Sequence, residues 1–161
     1  MVQIIDVLTG MVAIGNEKTI LNVSAIGSCV VVSAYSRDKK IGGLAHIMLP
    51  GEALNNNSFE KSKYANNALE EMFNKMSSLG VDIKDIEICL IGGANVLMDS
   101  DDIIGKGNIN SINEFLRKRQ VKVQAQAIGG TERRSVSFDV GKGIIAYTEG
   151  DSEKMILQLS L

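Results

Sequence analysis

Cys29 and His46 are the side chains of this sequence best fitted to covalent chemistry. His46 is the chain's one histidine and follows Cys29 by 17 residues. A thiol attacks as thiolate, and a nearby imidazole is the commonest group for taking its proton near neutral pH. Cys29 sits in Ala25-Ile26-Gly27-Ser28-Cys29-Val30-Val31-Val32. Gly27 permits close backbone approach, and the amides of Gly27-Ser28-Cys29 can donate to a developing oxyanion. A plainer reading stands beside this one, because free cysteines are among the most buried residues and a lone histidine at a strand end is commonly structural.

The chemistry requires the fold to bring the pair together. Residues 29 to 35 read as a buried β-branched strand and 41 to 49 as a second, with Arg37-Asp38-Lys39-Lys40 as the polar turn between them. A hairpin centred between Asp38 and Lys39 sets His46 opposite Val31 and Cys29 opposite Met48. Cys29 and His46 then share a face as diagonal neighbours, with backbones about 7–8 Å apart. A slip of one residue would send them to opposite faces.

Further elements must support that hairpin. Tyr64, Ala68, Leu69, Met72, Phe73, Met76 and Leu79 recur at helical spacing, which predicts a helix from Phe59 to Leu79 with Gly80 as terminator. Its methionines read as a core stripe, with a soft partner surface as the alternative. The polar run Asn55-Asn56-Asn57-Ser58 predicts a loop before it. A second helix is expected over Asn108 to Arg119, with Ile109, Ile112, Phe115 and Leu116 inward and Arg117, Lys118 and Arg119 complementing the helix dipole. Strands are expected at 86–91, 121–128, 133–140 and 143–147. The fold class is α/β, with helices packed on a largely antiparallel or mixed sheet.

Composition bounds the function. The 161 residues, with 45% hydrophobic side chains and one proline, predict a single domain over residues 1–161. A formal net charge of -2 with interspersed signs gives no basic patch for nucleic acid. There is no basic region before the first apolar residues and no 18-residue apolar run, so a cytoplasmic protein without direct membrane insertion is expected. The two cysteines have no metal-ligand spacing, and Cys89, in the apolar run Ile86 to Ile91, reads as an idle core thiol. Asp99-Ser100-Asp101-Asp102 reads as a solvated turn, since Ile104 and Asn110 stand where an EF-hand needs glycine and glutamate. No phosphate-binding Gly-x-x-x-x-Gly-Lys-Ser/Thr pattern is present.

Several segments together resemble the CheD family: Gly27-Ser28-Cys29-Val30, Gly42-Gly43-Leu44-Ala45-His46-Ile47-Met48-Leu49-Pro50, Lys63-Tyr64-Ala65, Gly92-Gly93-Ala94, Ile104-Gly105 with Asn108, and Gly129-Gly130 followed by Arg134-Ser135-Val136. They occur in the family's order, from roughly residue 10 to residue 147. The resemblance implies a bacterial chemotaxis enzyme that hydrolyses particular chemoreceptor glutamines to glutamate with release of ammonia. Cys29 would be the nucleophile and His46 the base, with no metal or organic cofactor.

The resemblance also implies a second role, binding the CheC phosphatase and raising its activity. It further suggests that Gly92-Gly93 and Gly105-Lys106-Gly107 form tight turns lining the active-site region. Arg134 would contact a substrate helix or brace a loop. One position departs from the family pattern: Val23 stands where a threonine hydroxyl would hold the imidazole, and valine cannot make that bond. Ser24 is next along, on the opposite face unless a bulge intervenes; a backbone carbonyl or Ser28 are the other candidates for orienting His46.

Overall fold

The computed structural model describes residues 1–54 and 60–157. The predicted loop Asn55 to Ser58, with Phe59, lies outside the described residues. In chain order the strands are β1 (Gln3–Asp6), β2 (Val12–Gly15), β3 (Thr19–Ile26), β4 (Val30–Ser36), β5 (Ile41–Ile47), β6 (Glu87–Gly92), β7 (Val123–Ile128), β8 (Arg134–Asp139), β9 (Ile144–Glu149) and β10 (Met155–Leu157). The helices are α1 (Ala65–Ser78) and α2 (Ile104–Lys118).

The hairpin forms in the predicted register. β4, a β-branched run buried along its whole length, pairs antiparallel with β5 so that Val31 faces His46 and Ser36 faces Ile41. Lys40 closes the four-residue turn with φ 51, a left-handed value that turn positions tolerate. Because side chains alternate, His46 and Leu44 project to the same side of the sheet as Val31 and Tyr35.

The strands build two mixed five-stranded sheets, in the orders β1-β3-β8-β9-β10 and β2-β5-β4-β6-β7. Each contains one parallel pair, β1 with β3 and β6 with β7. The sequence predicted one sheet. The difference comes from the N-terminal region, where β1 and β2 are four residues each and too short to show a period. The two sheets pack face to face around Leu21, Val31, Leu44, Ile91 and Phe138, and the Tyr35 and Phe138 rings meet edge-on across this layer at 5.6 Å.

The helices cover the outer face of the β2-to-β7 sheet. α1 buries Leu69, Met72, Phe73 and Met76 against it, each contributing about 1.5–3 kcal/mol by removal from water. The methionines are therefore core. α1 starts at Ala65 instead of Phe59 because Tyr64 is extended (φ -92, ψ 140) and bridges Leu49, after a 3-10 turn over Lys61–Lys63.

α2 starts at Ile104 instead of Asn108 and takes Gly105 and Gly107 into the helix, so Gly105-Lys106-Gly107 is helical and not a tight turn. Glycine is needed at 105 because the helix crosses the Gly93 backbone: a Cβ there would lie 2.7 Å from the Gly93 carbonyl oxygen. Gly92 and Gly93 do turn, with φ of 119 and 71.

Candidate active site

Cys29 lies one residue beyond the last rung of the β4–β5 ladder, Val30↔Ile47, and His46 one residue inside it. Both line a cleft of about 400 Å³ between the end of the hairpin and the β3–β4 connection. Thr9, Ser24, Ser28 and Arg133 share that cleft, and Val96 and Leu97 form part of its apolar wall.

His46 is 5% exposed and its ring is fixed from one side. Its Nδ1 lies 2.9 Å from the Val7 carbonyl oxygen. A carbonyl only accepts, so Nδ1 carries the proton and Nε2 holds the lone pair. Nε2 is buried and has no hydrogen-bond partner among the described residues. The same segment grips the His46 backbone: His46 N–H donates to Met11 O and Gly10 N–H to His46 O, both at 3.0 Å. Of the alternatives for orienting His46, the backbone carbonyl is the one that forms.

Val23 is 3% exposed and packs between the sheets. The bulge that would release Ser24 from strand alternation is present: the β3–β8 register shifts between Val23 and Ile26, Ala25 has φ 27, and Ala25 N–H donates to Ser135 Oγ at 2.9 Å. Ser24 thereby reaches the cleft, without a hydrogen bond to His46.

The segment carrying Cys29 is held by its carbonyls. Gly27 O accepts from Ala94 N–H and Cys29 O from Gly93 N–H, both at 2.9 Å, and Ser28 O accepts from Asn108 Nδ2 at 3.0 Å. Among the described residues, the N–H groups of Gly27, Ser28 and Cys29 have no protein acceptor. With the carbonyls engaged, these three amides keep their hydrogen-bonding capacity in residues that line the cleft. Gly92 must be glycine here because a Cβ would collide with Cys29 O.

Burial sets the resting charge state. It raises the Cys29 thiol above its ordinary range. It also lowers the His46 imidazole, with the Val7 hydrogen bond acting weakly the other way. Near neutral pH the pair therefore rests as thiol and neutral imidazole, and the imidazole is free to take a proton.

Arg134 is 4% exposed and braces a loop. Its Nη1 donates to Gly129 O at 2.8 Å, with a longer 3.4 Å contact to Gly92 O, and its Nη2 pairs with Glu149 at 2.7 Å. The neighbouring Arg133, not singled out from sequence, is the arginine in the cleft. The Val7 carbonyl also escaped sequence reading, since a main-chain acceptor leaves no mark in residue type. Asp99 and Asp102 accept from nearby backbone amides within their own turn, and among the described residues no three His, Cys, Asp or Glu gather to hold a metal ion.

An α/β protein whose thiol and acceptor imidazole share one cleft beside unspent main-chain donors has the parts that a cysteine nucleophile uses. The chain belongs to the CheD family: the family described as "CheD chemotactic sensory transduction" matches residues 48–149. A relative from Chlorobium luteolum, named probable chemoreceptor glutamine deamidase CheD, is 36% identical over 92% of this chain and 74% of its own length, a span that takes in Cys29 and His46. A Methanococcus maripaludis relative of the same name is 34% identical over 81% of this chain and 86% of its own. The chemoreceptor glutamine deamidase CheD of Halalkalibacterium halodurans is 32% identical over 74% and 76%. Among the described residues no helix is long and apolar enough to cross a membrane.

Proposed function

We propose that this chain hydrolyses the side-chain amide of particular chemoreceptor glutamines to glutamate, with Cys29 as nucleophile and His46 as base. The observation that carries this reading is the commitment of His46 Nδ1 to Val7 O, which leaves Nε2 as the unpartnered acceptor of a residue that lines the same cleft as Cys29. In the reaction, Nε2 takes the thiol proton as sulfur attacks the amide carbon. The oxyanion is met by amides of Gly27-Ser28-Cys29. When the tetrahedral species collapses, the C–N bond breaks and Nε2 gives its proton to nitrogen, so ammonia leaves and a thioester remains. Water, deprotonated by the same nitrogen, then attacks the thioester; its C–S bond breaks, glutamate is released and the thiol regains its proton. We place this activity in the cytoplasm, where the receptors' signalling helices are reached, and read residues 1–161 as one working unit.

The second reading, a partner that binds and stimulates the CheC phosphatase, is favoured by one surface feature. Leu97 and Met98 are 84% and 75% exposed beside the cleft, an apolar rim suited to a protein partner. A partner there would compete with the receptor substrate.

The test is mass spectrometry of receptor cytoplasmic fragments incubated with wild type and with Cys29→Ala. Conversion of glutamine to glutamate by wild type alone is expected. Conversion that survives Cys29→Ala, or none by folded wild type on any native receptor, overturns the enzyme reading. Retained CheC binding by Cys29→Ala would show the two roles to be separable.

A further inference from the structure

Cys29 and His46 belong to strands that part company where chemistry is needed. Beyond the rung Val30↔Ile47 the ladder stops: Cys29 O turns to Gly93 N–H, and Met48 N–H turns to Lys63 O, both at 2.9 Å. The hairpin alone therefore does not fix the distance from the nucleophile to its base. One side chain spans the gap. Asn108 of α2 donates through Nδ2 to Ser28 O at 3.0 Å and to Met48 O at 3.1 Å. Both protons of one amide are spent, one on the residue before Cys29 and one on the residue two past His46.

The residue's setting argues against a packing role. Asn108 is completely buried and lies on the same helix face as Ile112. Its Oδ1 has no partner among the described residues. A leucine would fill the same space without an unpartnered Oδ1 of its own, so packing alone gives no reason for asparagine here. What asparagine supplies is two N–H donors on one rigid planar amide nitrogen, matched to two carbonyls on diverging chains.

We propose that Asn108 is a positioning residue that holds the Cys29 segment against the His46 strand and so sets the thiol–imidazole geometry for catalysis. It touches neither substrate nor the reacting atoms. The inference rests on the Cys29–His46 reading above, and α2 thereby acts on the cleft through the two splayed strand ends. Misplacement on the order of 1 Å can cost about 10²-fold in rate.

The test uses Asn108→Leu, of similar volume, in the full chain, with two readouts. The first is kcat and KM for receptor deamidation: kcat should fall by about 10²-fold with KM changed by no more than about threefold, because the substrate contacts remain. The second is the pH–rate profile of Cys29 alkylation by iodoacetamide, which needs no deamidase activity and so separates failure of this inference from failure of the proposed function. The His46-dependent part of that profile should be lost in Asn108→Leu, and adding Asn108→Leu to His46→Ala should slow alkylation no further than about twofold. Should Asn108→Leu not fold, Asn108→Ser, which keeps one short donor, takes its place in the same cycle, with an intermediate loss expected. An unchanged profile and kcat, or equal slowing with and without His46, overturns the proposal.

Discussion

One cysteine of this chain sits on β6 and the other just past the end of the neighbouring β4, both against the same inter-sheet layer, yet only one is placed for chemistry. Cys89 lies within β6, paired with Ser33 on one side and Ala125 on the other, completely buried, and burial pushes its thiol up to about 11. Cys29 lies just past the end of β4, where the chain has left the ladder, is half-buried, and looks into the cleft with His46. A ladder consumes the backbone groups that a reaction needs. The end of a ladder leaves them free while the strand behind still fixes the side chain.

The largest expected effect breaks or sustains this contrast directly. In folded protein at neutral pH, iodoacetamide should modify Cys29 at least roughly 10²-fold faster than Cys89, which becomes reactive only when the sheet opens. Peptide mapping after timed alkylation measures the ratio. His46→Ala should slow Cys29 by about tenfold and leave Cys89 unchanged, since of the two thiols only Cys29 shares a cleft with His46. Comparable rates for the two thiols in folded protein would remove the distinction.

The same contrast shows which parts of the molecule were legible in residue type. The hairpin register followed from a polar tetrapeptide between two apolar runs, and with it the shared cleft of Cys29 and His46. α1 and α2 announced themselves by 3.6-residue spacing, but their starts were set by long-range contacts: the Tyr64–Leu49 bridge delayed one and the Gly93–Gly105 crossing advanced the other. The second sheet was hidden because its N-terminal strand is short, its β3 carries a bulge, and β8, against which β3 pairs, lies more than a hundred residues away. The groups that orient the pair were hidden for another reason. Val7 acts through its carbonyl, and Asn108, which reads as the first residue of a helix, lies one turn inside it.

A smaller effect tests the substitution at Val23. If the Val7 carbonyl already holds His46, restoring a hydroxyl with Val23→Thr should leave kcat/KM within about twofold of wild type. The variant should instead lose stability, on the order of 1–3 kcal/mol, because the new hydroxyl enters an apolar layer in which Val23 is 3% exposed. Steady-state kinetics beside urea unfolding reads both. A gain of tenfold or more in kcat/KM would mean that the imidazole had lacked an orienting partner.

The smallest expected effect concerns His46 and acid. Its imidazole is lowered in the folded protein, chiefly by burial. On acidification the unfolded chain therefore takes up this proton first, near the ordinary value of about 6.5. The stabilisation from keeping His46 neutral is fully present above that pH and is lost as pH falls from about 6.5 towards the folded-state value, with a slope of at most about 1.4 kcal/mol per pH unit for one proton. The measurement is a difference between two proteins that share every group but this one. Urea unfolding of wild type and His46→Gln between about pH 7.5 and 5 should show wild type losing more stability than the variant as pH falls. Parallel curves would mean that the imidazole is protonated as readily folded as unfolded, and burial would then not set its charge state as it does that of the sealed thiol of Cys89.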